Sequence, residues 1–327
     1  MKPQAGSEHW AQMGESTFVG GMWLLYQVHR LLGRWPFLVC LYPVVLYYWA
    51  TRRVARASSM EYLQRLQAAC GALGGTPGWR HSLRHFMVFA QVILDKTLAM
   101  TGRYRSENIV FLGRQPLLDL LRRGQGAVVV TAHLGCIELC QCMARQQPGL
   151  KLNILVHTKH ALRFNRLMQR LSPDSGVQLL QVSEFDAAMA MVLADKVARG
   201  EFIAIAGDRV PVQGGRVVSV PFLGHDAAFP CGPYVIAALL KCPLYFMGCI
   251  HAGPGYAVTF HPLAEQVLLP RDRRQQALEG YARSFVQQLE LLLQRAPYDW
   301  FNFFPFWEQG AAPLPPAASV PDKPSAI

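Results

Sequence analysis

Ala127-Val-Val-Val-Thr-Ala-His133-Leu-Gly-Cys-Ile-Glu138 is the stretch on which the reading of the fold turns. A β-branched run ends in a small residue, as a strand buried on both faces of a parallel sheet does. A histidine follows, and a carboxylate comes five positions after it. Two side chains at that spacing cannot share one face of a continuous helix. They converge if the histidine stands at the carboxyl end of the strand and the glutamate lies in the first turn of the next helix. His133 is then a candidate general base and Glu138 the group that orients it. Gly135 between them permits close backbone approach by a substrate. Amides at the helix start add a place for negative charge on a reacting oxygen. The alternative is a structural histidine that closes the strand end.

The rest of the chain extends the pattern. Residues 108–112, 127–131, 151–156, 177–182, 202–206, 244–250 and 256–260 read as strands. Residues 57–70, 79–100, 116–123, 135–145, 162–171, 185–199, 232–240 and 273–294 read as helices. This alternation predicts an α/β fold, with a central, largely parallel sheet flanked by helices on both faces.

A different character precedes it. Residues 18–33 read as a helix with mixed faces, and residues 35–50 carry no charge, have aromatic residues at both ends and stop at Arg52, Arg53 and Arg56. That run falls short of the ~20 apolar residues of a full helical crossing and contains Pro43. It predicts an N-terminal helical membrane anchor, monotopic or tilted rather than a clean span, with a buried helix hairpin as the alternative. The expected organisation is a flexible N-terminus over 1–16, a membrane-associating helical segment over 17–56, an α/β catalytic domain over 57–309 and a disordered Pro/Ala-rich tail over 310–327.

Composition narrows the function classes. Apolar residues make up 51% of the chain and charged residues only 16%, so part of the apolar surface is expected to face lipid. Of the net charge of +11, a surplus of nine falls within residues 1–125, beside the greasiest segment. An anionic membrane surface or an acidic partner suits that placement. Nucleic acid does not, since no dense Lys/Arg helix and no nucleic-acid module occurs. The eight cysteines lack metal spacing and include no CxxC, which reads as reduced thiols in a core. The signatures of serine hydrolases, P-loop NTPases, zincins and Rossmann enzymes are missing.

Further motifs gather round the first. Gly207-Asp208-Arg209 follows the buried strand 202–206, at the sheet edge where His133 is expected and where ligands of open parallel sheets collect. Asp208 can fix Arg209, and Arg209 can grip phosphate or a carbonyl oxygen, although a solvated turn pair reads the same way. A densely basic segment over 157–170 holds Arg163, Asn165 and Arg170, suited to a phosphorylated ligand or an acidic carrier, or to an exposed helix face. Val220-Pro-Phe-Leu-Gly224 reads as a shaped loop. The next two residues, His225 and Asp226, are set aside because adjacent side chains point apart. The aromatic block from Asp299 to Trp307 can line an acyl pocket, touch lipid headgroups or pack as core.

In this order the blocks resemble the lipid A late acyltransferase family, within the lysophospholipid acyltransferase superfamily, from about residue 20 to 308. The resemblance implies transfer of a fatty acyl group from a thioester donor, acyl carrier protein or acyl-CoA, to a hydroxyl of a membrane lipid or glycolipid. His133 would be the base and Glu138 its orienting carboxylate. Arg209 and Asp208 would shape the substrate site, with Asn165, Arg170, Arg163 and Gly135 in support. No metal or other cofactor is implied. The implied location is the bacterial inner membrane, with the catalytic domain on the cytoplasmic side. The chain departs from the pattern at Cys136 and Ile137, where the family usually has an aromatic residue and an asparagine, and at Arg209, where it usually has glutamine. The Trp300–Phe303 stretch looks more like relatives from aryl polyene and other polyketide-type lipid clusters, so the acceptor stays open. Two other functions remain: a non-catalytic acyl-chain or lipid-binding subunit, and a membrane-bound thioester or lipid hydrolase.

Overall fold

Residues 19–100, 102–140, 147, 149–156, 176–181, 186–211 and 215–309 are described by the structure, a computed structural model. Nine strands occur among them: β1 (Ile109–Leu112), β2 (Val128–Thr131), β3 (Leu152–Val156), β4 (Val177–Gln181), β5 (Phe202–Ala206), β6 (Val217–Phe222), β7 (His225–Pro230), β8 (Leu244–Ala252) and β9 (Gly255–Ala264). Seven form one sheet in the order β1-β9-β8-β2-β5-β3-β4, in which β8 and β9 pair antiparallel and the other neighbours pair parallel. The predicted mixed α/β architecture with a mostly parallel sheet is therefore present.

β2 is the centre of this sheet, and its apolar run is explained by burial from both sides. Val128 and Val130 join the core on one face, with Leu244 and Phe246 of β8. Val129 turns to the other face, with Tyr245 and Met247. The described helices are α1 (Val19–Leu32), α2 (Arg34–Thr51), α3 (Arg53–Cys70), α4 (Trp79–Met100), α5 (Gln115–Arg122), α6 (Ala187–Ala198), α7 (Gly232–Leu240) and α8 (Arg274–Arg295). Helix α8 shows why they dock: Leu278, Ala282, Phe285, Val286, Leu289, Leu292 and Leu293 recur at three- and four-residue steps and are all buried in the first core. Helices α4 and α5 cover the opposite face through Val92, Ala99, Leu117 and Leu120.

The hairpin β6–β7 is a finding against the expected loop over 220–224. Its turn is Leu223-Gly224, both at positive φ (51° and 78°), which matches the twist of a two-residue hairpin connection. Pro221 sits where β6 has only one partner strand, so its missing N–H breaks no ladder there.

At the N-terminus, α1 and α2 meet at Gly33 and pack as a hairpin outside α4. Phe37, Leu41 and Val45 are buried there against Leu83, Phe86 and Leu94. Trp35, Val39, Tyr42 and Leu46, on another face of α2, are exposed. Among the described residues no helix is long and apolar enough to cross a membrane, which corrects the spanning form of the expected anchor. Its 18 residues rise about 27 Å, short of the ~30 Å hydrocarbon core, and one face is already taken by protein. The stretches 1–16 and 310–327, expected to be loose, lie outside the described residues.

Candidate active site

Parallel register builds the site. Thr131 of β2 stands beside Ala206 of β5, so the residues two places further on, His133 and Asp208, emerge side by side at the carboxyl edge of the sheet. Asp208 is fully buried. Its Oδ1 faces Nδ1 of His133 at 2.8 Å. Its Oδ2 accepts from the His133 backbone N–H (2.9 Å), from Trp300 Nε1 (3.1 Å) and from Asn302 Nδ2 (2.9 Å). Burial alone would raise the Asp208 pKa. The imidazole, its two hydrogen bonds and the Arg209 guanidinium outweigh that and hold the carboxyl well below the ordinary range.

An ionised carboxylate only accepts, so Nδ1 of His133 carries the proton and Nε2 of the neutral ring has the lone pair. The protein packed around the ring lowers its pKa first, and Arg209 lowers it further. Asp208 pulls the other way, and Lys96 again lowers it. The neutral ring therefore persists to lower pH than an ordinary histidine. The side chain keeps 36% of its surface exposed, so a substrate can reach it.

The orienting position expected for Glu138 is thus occupied by Asp208. Glu138 lies elsewhere because the chain does not enter an α-helix directly after His133. Leu134 forms a bridge with Trp300, and the Gly135 N–H is bonded to the Asp299 carbonyl at 2.8 Å. The chain then makes a short 3-10 turn over Ile137–Leu139, which carries Glu138 to α4, where it pairs with Lys96. The Gly135 amide is occupied and unavailable to a reacting oxygen. The close approach at Gly135 is made by β8: φ is 54°, and a Cβ would fall 2.2 Å from the Cys249 carbonyl oxygen.

Arg209 also has a different neighbourhood from the one expected. Its Nε donates to Asn302 Oδ1 at 2.7 Å and its Nη2 to the Phe301 carbonyl at 2.9 Å. It fixes the segment that in turn fixes Asp208. Arg163, Asn165 and Arg170 lie outside the described residues. His225 and Asp226 are exposed at the start of β7, in the separate two-stranded sheet.

The four residues 299–302 hold the site together, and the sequence reading gave them no such part. Beyond the contacts above, Phe301 N–H donates to the His133 carbonyl (2.9 Å). Trp300 C=O accepts from His85 Nε2 (2.8 Å), a buried ring whose pKa burial lowers to about 4. Asp299 repeats the Asp208 arrangement on a second histidine: Oδ2 accepts from the His251 N–H (2.6 Å) and Oδ1 faces its Nδ1 (2.9 Å). One signal was present in the chain. Asp299 and Asn302 stand inside an aromatic block, and a polar group buried among aromatics must have partners. Among the described residues no group of three or more His, Cys, Asp or Glu is placed to hold a metal ion.

Residues 87–309 match the model of the family described as bacterial lipid A biosynthesis acyltransferase, a span that includes His133, Asp208 and the 299–302 segment. No curated protein matches the chain.

Proposed function

Since the chain belongs to the bacterial lipid A biosynthesis acyltransferase family, we propose that it transfers a fatty acyl group from a thioester donor to a hydroxyl of a membrane lipid or glycolipid, with His133 as the base. The observation that carries this reading is the buried Asp208 carboxylate on Nδ1 of a partly exposed ring, which leaves Nε2 to the substrate. Nε2 takes the proton of the acceptor hydroxyl as its oxygen attacks the thioester carbonyl carbon. The resulting imidazolium is stabilised by Asp208. Collapse of the tetrahedral adduct breaks the C–S bond, and the departing sulfur takes the proton back from Nε2. Lys96, held by Glu138 and close enough to lower the imidazole pKa, offers positive charge for the oxygen of the adduct. An acidic acyl carrier protein suits the net charge of +11 as donor, with acyl-CoA as the other thioester of this kind.

The test is purified protein with a labelled acyl carrier thioester and membrane lipid extract. Label appearing in lipid is the expected result. Free fatty acid alone would assign a hydrolase, and binding without turnover a non-catalytic subunit. For kcat/KM the low-pH limb should have its midpoint below the ordinary imidazole value of about 6.5. A midpoint above it would contradict the lowered His133 pKa.

The cytoplasmic face of a bacterial inner membrane is the proposed location, with the exposed stripe Trp35, Val39, Tyr42 and Leu46 resting in the interface. Just past the helix end, Arg56 donates to the Trp49 and Ala50 carbonyls and lies over the Trp49 ring, placing a cation where headgroups would be. Replacing Trp35, Tyr42 and Tyr47 together with serine should weaken binding to anionic vesicles about tenfold or more while leaving the buried face of α2 intact. Unchanged sedimentation with vesicles would move the anchoring role to another part of the chain.

A further inference from the structure

A cavity of about 560 Å³ lies between the α1–α2 hairpin, α4 and the loop before β1. Its lining carries Arg30, Arg34, Arg103, Arg105 and His29, against one acid, Asp95. Arg34 reaches Gln91 at 3.4 Å and Arg103 the Tyr26 hydroxyl at 2.6 Å. None of the four arginines makes a contact ion pair among the described residues. Asp95 is committed elsewhere, since it accepts from the Tyr256 hydroxyl at 2.8 Å. It is one carboxylate set against four guanidinium groups, so the lining keeps a positive excess. Four guanidinium groups gathered around a single carboxylate repel one another, and a multidentate oxyanion relieves that repulsion while matching their planar forks.

The position of the cavity decides what carries the anion. Arg30 and Arg34 flank the hairpin bend, and the residues interleaved with them, Leu31, Leu32 and Trp35, are exposed. Cations therefore line the cavity where the same few residues present apolar side chains outward, as a site for a charged head with acyl chains outside would require. On the other side, Gln91, Leu94, Asp95 and Leu98 form one face of α4, and Lys96 stands on the opposite side, paired with Glu138 and near enough to His133 to act on its charge. We infer that this cavity binds the phosphate-bearing headgroup of the acceptor lipid, holding it across α4 from the base. The inference rests on the acyltransferase reading for the word acceptor, but binding itself needs no turnover.

The experiment is calorimetric titration of the full chain with soluble dihexanoyl phosphatidic acid, with inorganic phosphate, with dihexanoylglycerol and with coenzyme A. Saturable binding of phosphatidic acid is expected, with competition by inorganic phosphate and none by the uncharged diacylglycerol. The double variant R30A/R105A removes two side chains that hydrogen-bond no other described residue, and it should weaken that binding about tenfold or more. R283A/R295A, on the exposed side of α8, should bind as the native chain does, and so should His133→Ala. Equal affinity in R30A/R105A, an equal loss in R283A/R295A, no saturable binding, or tighter binding of coenzyme A than of phosphatidic acid would each overturn the assignment. If binding follows expectation and no acyl transfer is found, the transfer reading fails and the headgroup cavity stands.

Discussion

Asp208→Asn is expected to lower the turnover of acyl transfer on the order of 10³- to 10⁴-fold with the fold retained, the size seen when a base histidine is held in the wrong tautomer. Three donors, the His133 N–H, Trp300 Nε1 and Asn302 Nδ2, converge on Oδ2 of the native carboxylate. An asparagine must place its single carbonyl oxygen there to satisfy them. Its amide nitrogen then faces Nδ1 of His133 and donates to it, which moves the ring proton to Nε2 and removes the lone pair from the substrate side. His133→Ala should abolish transfer outright, and the double variant should be no worse than His133→Ala alone, because the two residues act as one unit. Nitrogen chemical shifts of the His133 ring provide a reading independent of activity: proton on Nδ1 in the native chain, on Nε2 in the variant. If Glu138 orients the ring instead, Glu138→Gln will reproduce that switch and Asp208→Asn will retain most of its turnover.

That contest between two carboxylates shows where sequence reading stops. The strands were legible because a central parallel strand must be apolar on both faces, and Val128–Thr131 and Phe202–Ala206 leave little else to read. The placement of His133, Asp208 and Arg209 at one sheet edge followed from that. The pairing did not, because Asp208 lies 75 residues from His133 and only the adjacency of β2 and β5 joins them. A carboxylate five positions away was the nearer guess, and it failed on local backbone. Gly135 at positive φ, pressed against β8, prevents the helix start that would have brought Glu138 back. The chain's return over the site at residues 299–302 follows from where α8 ends, which periodicity does not reveal. The charge-free run 35–50 read as one apolar unit, and the structure divides it between a buried face and an exposed one.

Trp300→Ala should cost about 3–5 kcal/mol of folding stability, a large share of the 5–15 kcal/mol typical of a domain. Trp300 is fully buried, with ring centroids 5.0 Å from Tyr62, 5.2 Å from Phe222 and 4.7 Å from Phe306. Truncation leaves a cavity lined by rigid rings that cannot collapse to fill it. It also removes one of the donors on the Asp208 carboxylate. Trp300→Phe separates these two effects. It keeps most of the packing and loses only the N–H, so it should cost less stability, about 1.5–3 kcal/mol for a hydrogen bond to a charged group. Its Asp208 pKa should rise, yet from a value so far down that the carboxylate stays ionised at neutral pH. Turnover per folded molecule should then change less than about tenfold, far less than in Asp208→Asn. Urea unfolding followed by fluorescence, together with transfer assays at matched folded concentration, measures both. A Trp300→Ala chain within about 1 kcal/mol of the native one would mean the aromatic block is not the support of the site, since deleting a well-packed indole costs several times that.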